Sequence, residues 1–249
     1  MKLCNETLNR QREELIAKGY GLPAFDRAAI AANTEARPAW LHFGAGNIFR
    51  AFVAALNQKL LDGGHMDTGI LVAEGFDTEI LDAAYRPYDN LSVLATLCAD
   101  GRIQKTIIGS VVNSLSMERG AEDWNRLTAA FRSPTLQMAS LTITEKGYNI
   151  TDGQGALFPA VLADMEQGPD KAQSYIGKIA ALCHARFEAG APPIALVSMD
   201  NCSHNGSRLE KAVMAFAEAW AERGLCAPGF VAYLSDRARV SFPWSMIDK

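Results

Sequence analysis

No stretch of this sequence stays apolar for long. Its longest runs, such as Ala212–Ala217, fall far below the ~20 residues that a membrane-spanning helix needs. The polar start, Met1–Arg12, lacks the apolar core of a secretion signal. Excess charge of one sign is missing too. Lys and Arg total 24 against 28 Asp and Glu, interspersed, for a net charge of −4. With no basic stripe to follow a phosphate backbone, nucleic acid is not an expected partner. Nor is a membrane. The five cysteines (Cys4, Cys98, Cys183, Cys202, Cys226) are odd in number and scattered. They read as free thiols in a reducing compartment rather than as a disulfide framework, which makes the cytoplasm the expected location.

Several kinds of catalytic equipment are also missing. A short-chain dehydrogenase needs a tyrosine and a lysine one helical turn apart, and Tyr175-Ile-Gly-Lys178 has the wrong spacing. A zinc enzyme needs clustered Cys and His. Cys202 and His204 are close but have no second cluster to support them, and Cys183-His184 lies on a helical pattern whose adjacent residues point apart. No metal site is expected. There is no Gly-x-Ser-x-Gly elbow and no Walker loop. Internal repeats, low-complexity tracts and linker-like segments are absent as well.

What is present is alternation. At 49% hydrophobic, the 249 residues suffice for a real core. Residues 1–38 read as an N-terminal extension with a short polar helix over Glu6–Lys18. Breakers follow at Gly19, Gly21 and Pro23, then a second short helix capped by Asp26. From Ala39 onward, strands are predicted at Ala39–Phe43, Gly69–Glu74, Met138–Thr144 and Ile194–Met199. Helices are predicted at Ile48–Leu61, Thr78–Tyr85, Ala121–Phe131, Ala156–Glu166, Ala172–Ala189 and Leu209–Arg223. Leu91–Cys98 and Ile103–Val112 read as a hairpin turning at Asp100-Gly101. The expected fold class is α/β, with a mostly parallel sheet and helices on both faces.

The first chemical motif sits between the first strand and its helix: Gly44-Ala45-Gly46-Asn47-Ile48-Phe49-Arg50-Ala51. One glycine allows the tight turn and the next lets backbone approach a pyrophosphate, which rests on the helix N-terminus. Gly44, Gly46, Asn47, Ile48 and Arg50 are the candidate residues. A cofactor acid should close the second strand, and Glu74 and Asp77 stand there. Either could accept hydrogen bonds from ribose hydroxyls, and both would repel a 2′-phosphate, favouring NAD over NADP. Asp77 could equally cap the helix that follows.

Three more segments complete a pattern: Thr142-Ile-Thr-Glu-Lys-Gly-Tyr148, Ser198-Met-Asp-Asn-Cys-Ser-His-Asn-Gly206 and Phe242-Pro-Trp-Ser-Met-Ile-Asp-Lys249. With the glycine loop, in this order and over about residues 20–249, they resemble the polyol-specific long-chain dehydrogenases, the family of mannitol 2-dehydrogenase, fructuronate reductase (mannonate oxidoreductase) and tagaturonate reductase. In that family the loop reads Gly-x-Gly-x-Phe-His-Arg-Ala-His. Arg50 and Ala51 match it, whereas Phe49 and Phe52 replace the two histidines.

The resemblance implies a Rossmann-like NAD domain over residues 39–249, followed in the family by a helical second domain. That domain carries a catalytic Lys-x-x-x-x-Asn-x-x-His helix, with the lysine as general base and no metal. The segment ending at Lys249 leads into that domain in the family, so the expectation is a chain cut before it and inactive alone. Its substrate would be a linear polyol or sugar acid. By resemblance, Asn201 helps hold the reacting oxygen, Glu145 gates proton passage near the base, and Asp248 lies near substrate and lysine. Plainer roles compete. Asp200, Asn201 and Ser203 could form a turn and cap a helix, Glu145 could be an exposed acid paired with Lys146, and Asp248 could cap a helix at a domain boundary. The rival functions are a dinucleotide-sensing module without chemistry, a methyltransferase using S-adenosylmethionine, and a remnant that binds neither.

Overall fold

The computed structural model describes residues 2–246. They divide into two compact units between Ser116 and Met117.

The first unit opens with two short helices, α1 (Asn5–Arg10) and α2 (Arg12–Ala17), broken at Gln11 where one helix was expected. After the short strand β1 (Tyr20–Gly21) comes α3 (Arg27–Ala36). The Asp26 carboxylate caps α3 as predicted, accepting from the amides of Ala28 at 2.8 Å and Ala29 at 3.2 Å. Three strands then form a parallel run: β2 (Trp40–Phe43), β3 (Ile70–Glu74) and β6 (Val111–Ser116), in the order β6-β3-β2. Every residue of β3 is buried, as suits a parallel strand covered on both faces. A second sheet, β1-β5-β4, holds the hairpin of β4 (Ser92–Leu97) and β5 (Ile103–Ile108). The apolar stretch Ile103–Val112, expected as one strand, is two. It breaks at Gly109-Ser110, and β6 passes from the hairpin to the parallel run. Leu8, Leu15, Leu91 and Ile107 make a buried cluster that ties the N-terminal helices to the hairpin.

The second unit carries another parallel run in the order β7-β8-β9: β7 (Met138–Leu141), β8 (Ile194–Ser198) and β9 (Val240–Ser241). Its helices are α5 (Glu122–Arg132), α6 (Pro159–Gln167), α7 (Tyr175–Glu188), α8 (Asn205–Glu222) and α9 (Phe230–Ser235). The last helix and strand were not foreseen. Orders of β6-β3-β2 and β7-β8-β9 are those of the two mononucleotide-binding halves of a doubly wound fold.

Buried polar groups organise this unit. The Arg186 guanidinium, fully buried, spends all five donors on backbone carbonyls. Nε donates to Pro192 O, Nη1 to Phe131 O and Ser133 O, and Nη2 to Leu136 O and Pro193 O, over 2.6–3.0 Å. It thereby joins the end of α5, the turn before β7 and the start of β8. Buried Asp164 accepts from the amides of Gln173 and Ser174, each at 2.7 Å, and so fixes the start of α7. No described helix is long and apolar enough to cross a membrane. The five cysteines are free thiols.

Candidate functional site

In a parallel sheet, ligands bind beyond the carboxyl ends of the strands. At that end of β2 the chain turns at Gly44, whose φ of +107° lies where only glycine is comfortable. The Gly44 amide donates to Ala73 O at 2.8 Å, which fastens the turn to β3. A helical run over 47–62 follows. It contains a π turn at Phe49–Val53 and continues as α4 (Ala54–Asp62). Its first hydrogen bond runs from Arg50 N–H to Gly46 O at 3.2 Å. The amides of Gly46, Asn47 and Ile48 precede that bond, as the opening amides of any helix do. All three residues are exposed, and a Cβ at Gly46 would meet nothing within 4 Å. An anion therefore has both donors and room here.

Glu74 closes this loop from beneath. The side chain is buried, and its Oε2 accepts from Ala45 N–H at 2.7 Å. Its Oε1 accepts from the amides of Gly75 at 2.9 Å, Phe76 at 2.8 Å and Asp77 at 3.4 Å. The carboxylate is thus turned inward on backbone donors. Asp77 is exposed, and its carboxylate has no partner among the described residues. With no hydrogen bond to that carboxylate among the described residues, Asp77 does not cap the helical run that opens at Glu79. Tyr85 supports the loop from a third side, donating from its hydroxyl to Ala45 O at 2.7 Å, and burial raises its pKa. The Arg50 guanidinium lies 5.7 Å from the Tyr85 ring centre and donates to Asn47 Oδ1. Its buried Nε has no partner among the described residues. Behind the loop, His42 stacks on Phe49 at 4.3 Å, and full burial pushes its pKa down to about 3.

In the second unit the carboxyl ends of β7 and β8 are laced together by Asp200. Its Oδ2 accepts from Ile143 N–H at 2.9 Å and from the Tyr148 hydroxyl at 2.5 Å, and its Oδ1 from Thr144 N–H at 2.9 Å. Thr144 is held at φ +65°, a costly conformation for a β-branched residue. Tyr148 also bonds Ser198 Oγ at 2.7 Å, and burial first, then the Asp200 charge, raises its pKa. Glu145 opens the short 3-10 turn Glu145–Tyr148 and forms an exposed ion pair with Arg208 of α8 at 3.0 Å, not with Lys146. Asn201 follows Asp200, exposed, and its amide has no partner among the described residues. The helix-capping role weighed for Asp200, Asn201 and Ser203 is not taken, because α8 starts without a side-chain cap. His204 is a turn residue at φ +54°, its Nδ1 2.9 Å from Ser203 Oγ.

The buried amide of Asn205 stitches the 242–246 segment to this end of the unit. Its Nδ2 donates to Asp200 O and Ser245 O, both at 3.0 Å, and its Oδ1 accepts from Ser245 N–H at 3.1 Å. Gly206 is needed for the same approach, since a Cβ there would stand 2.5 Å from Phe242 O and Pro243 O. Asp248 lies outside the described residues.

Of the candidates read from the sequence, the structure groups Gly44, Gly46, Asn47, Ile48, Arg50, Glu74 and Asp77 at one strand end of the first unit. It groups Glu145 and Asn201 at one strand end of the second. Asp200, Asn205 and Tyr85 were missed as organisers. The density of Asn, Asp and Ser between Ser198 and Gly206 was the available signal for the first two; Tyr85 offered none. No group of three His, Cys, Asp or Glu that could hold a metal exists among the described residues.

Comparison with known proteins adds to this geometry. Residues 38–249 match the family described as "Mannitol dehydrogenase Rossmann domain". The chain is 49% identical over 249 residues to D-mannonate oxidoreductase of Thermotoga maritima, covering 100% of itself and 46% of that protein. It is 31% identical over 242 residues to mannitol 2-dehydrogenase of Cereibacter sphaeroides, covering 91% of itself and 44% of that protein. Among solved structures it resembles Pseudomonas fluorescens mannitol 2-dehydrogenase in ternary complex with NAD and D-mannitol. There the TM-score is 0.78 at 28% identity, covering 97% of this chain and 46% of the other. The chain spans about half the length of the relatives it matches.

Proposed function

The chain belongs to the mannitol dehydrogenase family, with its Rossmann-like α/β fold, and on that premise we propose that it is the NAD(H)-binding part of a polyol or sugar-acid dehydrogenase. Bound NAD supplies a hydride acceptor, and NADH a donor, for the interconversion of a secondary alcohol and a ketone. The carrying observation is the glycine loop, in which three exposed amides stand ahead of the first helical bond beside an open Gly46, with a free carboxylate at Asp77. In this reading the amides of Gly46, Asn47 and Ile48 take the pyrophosphate. Gly44 makes the turn and Arg50 braces it through Asn47. Asp77 accepts from the ribose hydroxyls, while Glu74 holds the loop in shape. The nucleotide-binding domain is residues 39–249, with 1–38 as its N-terminal extension.

In the second unit, Asn201 offers an amide donor to the oxygen on which charge develops during hydride transfer. Glu145 serves the proton released, and Asp248 lies toward the substrate. The substrate class is the linear polyols and sugar acids, as in the names of the relatives. The general base is the lysine of a Lys-x-x-x-x-Asn-x-x-His helix, which does not occur in this sequence. These 249 residues therefore bind cofactor without turning substrate over. No metal takes part.

A fluorescence titration with NADH, with NADPH as control, tests this. Saturable binding that favours NADH is expected. Equal affinity for both would remove Asp77 from its role, and no binding by folded protein would remove the site.

A further inference from the structure

Helix 47–62 is apolar on two sides: Phe49, Val53, Ala54 and Leu61 are buried, and a second apolar stripe faces outward. Its inward stripe includes Asn57 and Gln58, both buried. Gln58 donates to Ile107 O at 2.9 Å and accepts from Gly109 N–H at 2.6 Å. Its outward stripe is apolar: Ile48, Phe52, Leu56 and Leu60 repeat every four residues and are 65, 50, 42 and 39% exposed. Residues four apart stack along one face of a helix, so these side chains form one continuous surface. Beside it opens a hollow of about 220 Å³, lined by Asn47, Arg50, Ala51 and the Ser92–Leu94 stretch of β4. A surface helix normally turns its apolar stripe to the core and its polar one to water. A contiguous apolar ridge next to a hollow the size of a side chain marks an interface.

We propose that the outward face of helix 47–62 is the seat for the additional polypeptide that the longer relatives carry, with Phe52 and Leu56 at its centre. This deepens the family reading and rests on it. The relatives hold more chain outside the matched region than within it, since the match covers 46% of the Thermotoga maritima protein. Area favours this occupant over a second copy. A stable dimer uses roughly 20–30 residues a side, whereas four side chains and a small hollow suit a contact already tethered by the backbone, which holds at roughly 600–1,500 Å².

Two measurements test the proposal. The first uses this chain alone, as the Phe52→Glu/Leu56→Glu double variant. If the face has no partner within these 249 residues, Tm stays within about 2 °C of the parent and binding of the dye ANS falls severalfold. A loss of more than about 5 °C in Tm means that the face is packed inside the chain, which overturns the proposal. The second uses Leu56→Cys, with maleimide labelling at residue 56 read by peptide mass spectrometry. The chain alone is compared with a fusion in which these residues replace the matching part of the Thermotoga maritima protein. Labelling at least tenfold slower in the folded fusion is expected. Equal rates overturn the proposal, as does protection in the isolated chain that vanishes on dilution, which would assign the face to a second copy. Dehydrogenase activity of the fusion is scored separately. An active fusion whose introduced thiol still labels freely defeats this inference and leaves the family function standing. An inactive fusion whose introduced thiol is protected does the reverse.

Discussion

Two carboxylates stand three residues apart at the end of β3 and just beyond it, and their surroundings give them different work. Glu74 receives four backbone amides, one of them from the glycine loop, and is buried. Glu74→Gln replaces one accepting oxygen by an NH2 that faces donors. The expected cost is about 2 kcal/mol of stability, read by urea denaturation, with NADH affinity falling alongside as the loop loosens. Asp77 is exposed and unengaged. Asp77→Asn should leave the urea midpoint unchanged, weaken NADH binding about tenfold, and narrow the preference over NADPH. If both variants lose stability and affinity together, the division of labour between the two acids is wrong.

At the level of elements, patterning located most of the α/β alternation. The first strand, the loop and the strand ends bearing Glu74, Glu145 and Asn201 were legible because apolar runs bounded by turn residues mark strands in any context. The boundary between β5 and β6 was not. Ile103–Val112 reads as one β-rich stretch, and only tertiary pairing shows that one part belongs to a hairpin and the other to the parallel run. The site was half legible for a similar reason. Residue types announce donors and acids, but nothing in a sequence says that Asp200 will be consumed by two amides and a tyrosine while Asn201 beside it stays open. Arg186 was invisible on the same grounds, since an arginine on a helical pattern reads as surface. In place it joins α5, the turn before β7 and the start of β8 through five carbonyls. Arg186→Leu should cost on the order of 4 kcal/mol by stranding those acceptors. Arg186→Lys should recover only part, because an ammonium lacks the planar fork. Urea midpoints of the two variants against the parent decide the matter.

Across the whole molecule, two buried imidazoles make the fold sensitive to acid. Burial lowers the pKa of His42 in the first unit to about 3, and burial likewise lowers that of His184 in the second. His184 Nε2 accepts from Ala227 N–H at 3.1 Å, which requires the neutral ring. The unfolded chain takes up a proton at each imidazole near pH 6.5 and the folded chain does not. The stability each contributes is complete above that pH. It declines as pH falls, by up to ~1.4 kcal/mol per pH unit per ring, and for His42 the decline continues to about pH 3. Denaturation from pH 7 to 4 should show this slope, and His42→Asn should flatten it. A slope unchanged in that variant would mean that other groups carry the acid response. The π turn at Phe49–Val53 has a consequence of another kind, for chain length. It takes up one residue more than an α-helix needs between the amides of the glycine loop and the polar pair Asn57 and Gln58. Deleting a single residue there should straighten the helix while leaving both ends in place. A loss of one residue at this point is therefore a change of length that the helix should absorb without shifting either end.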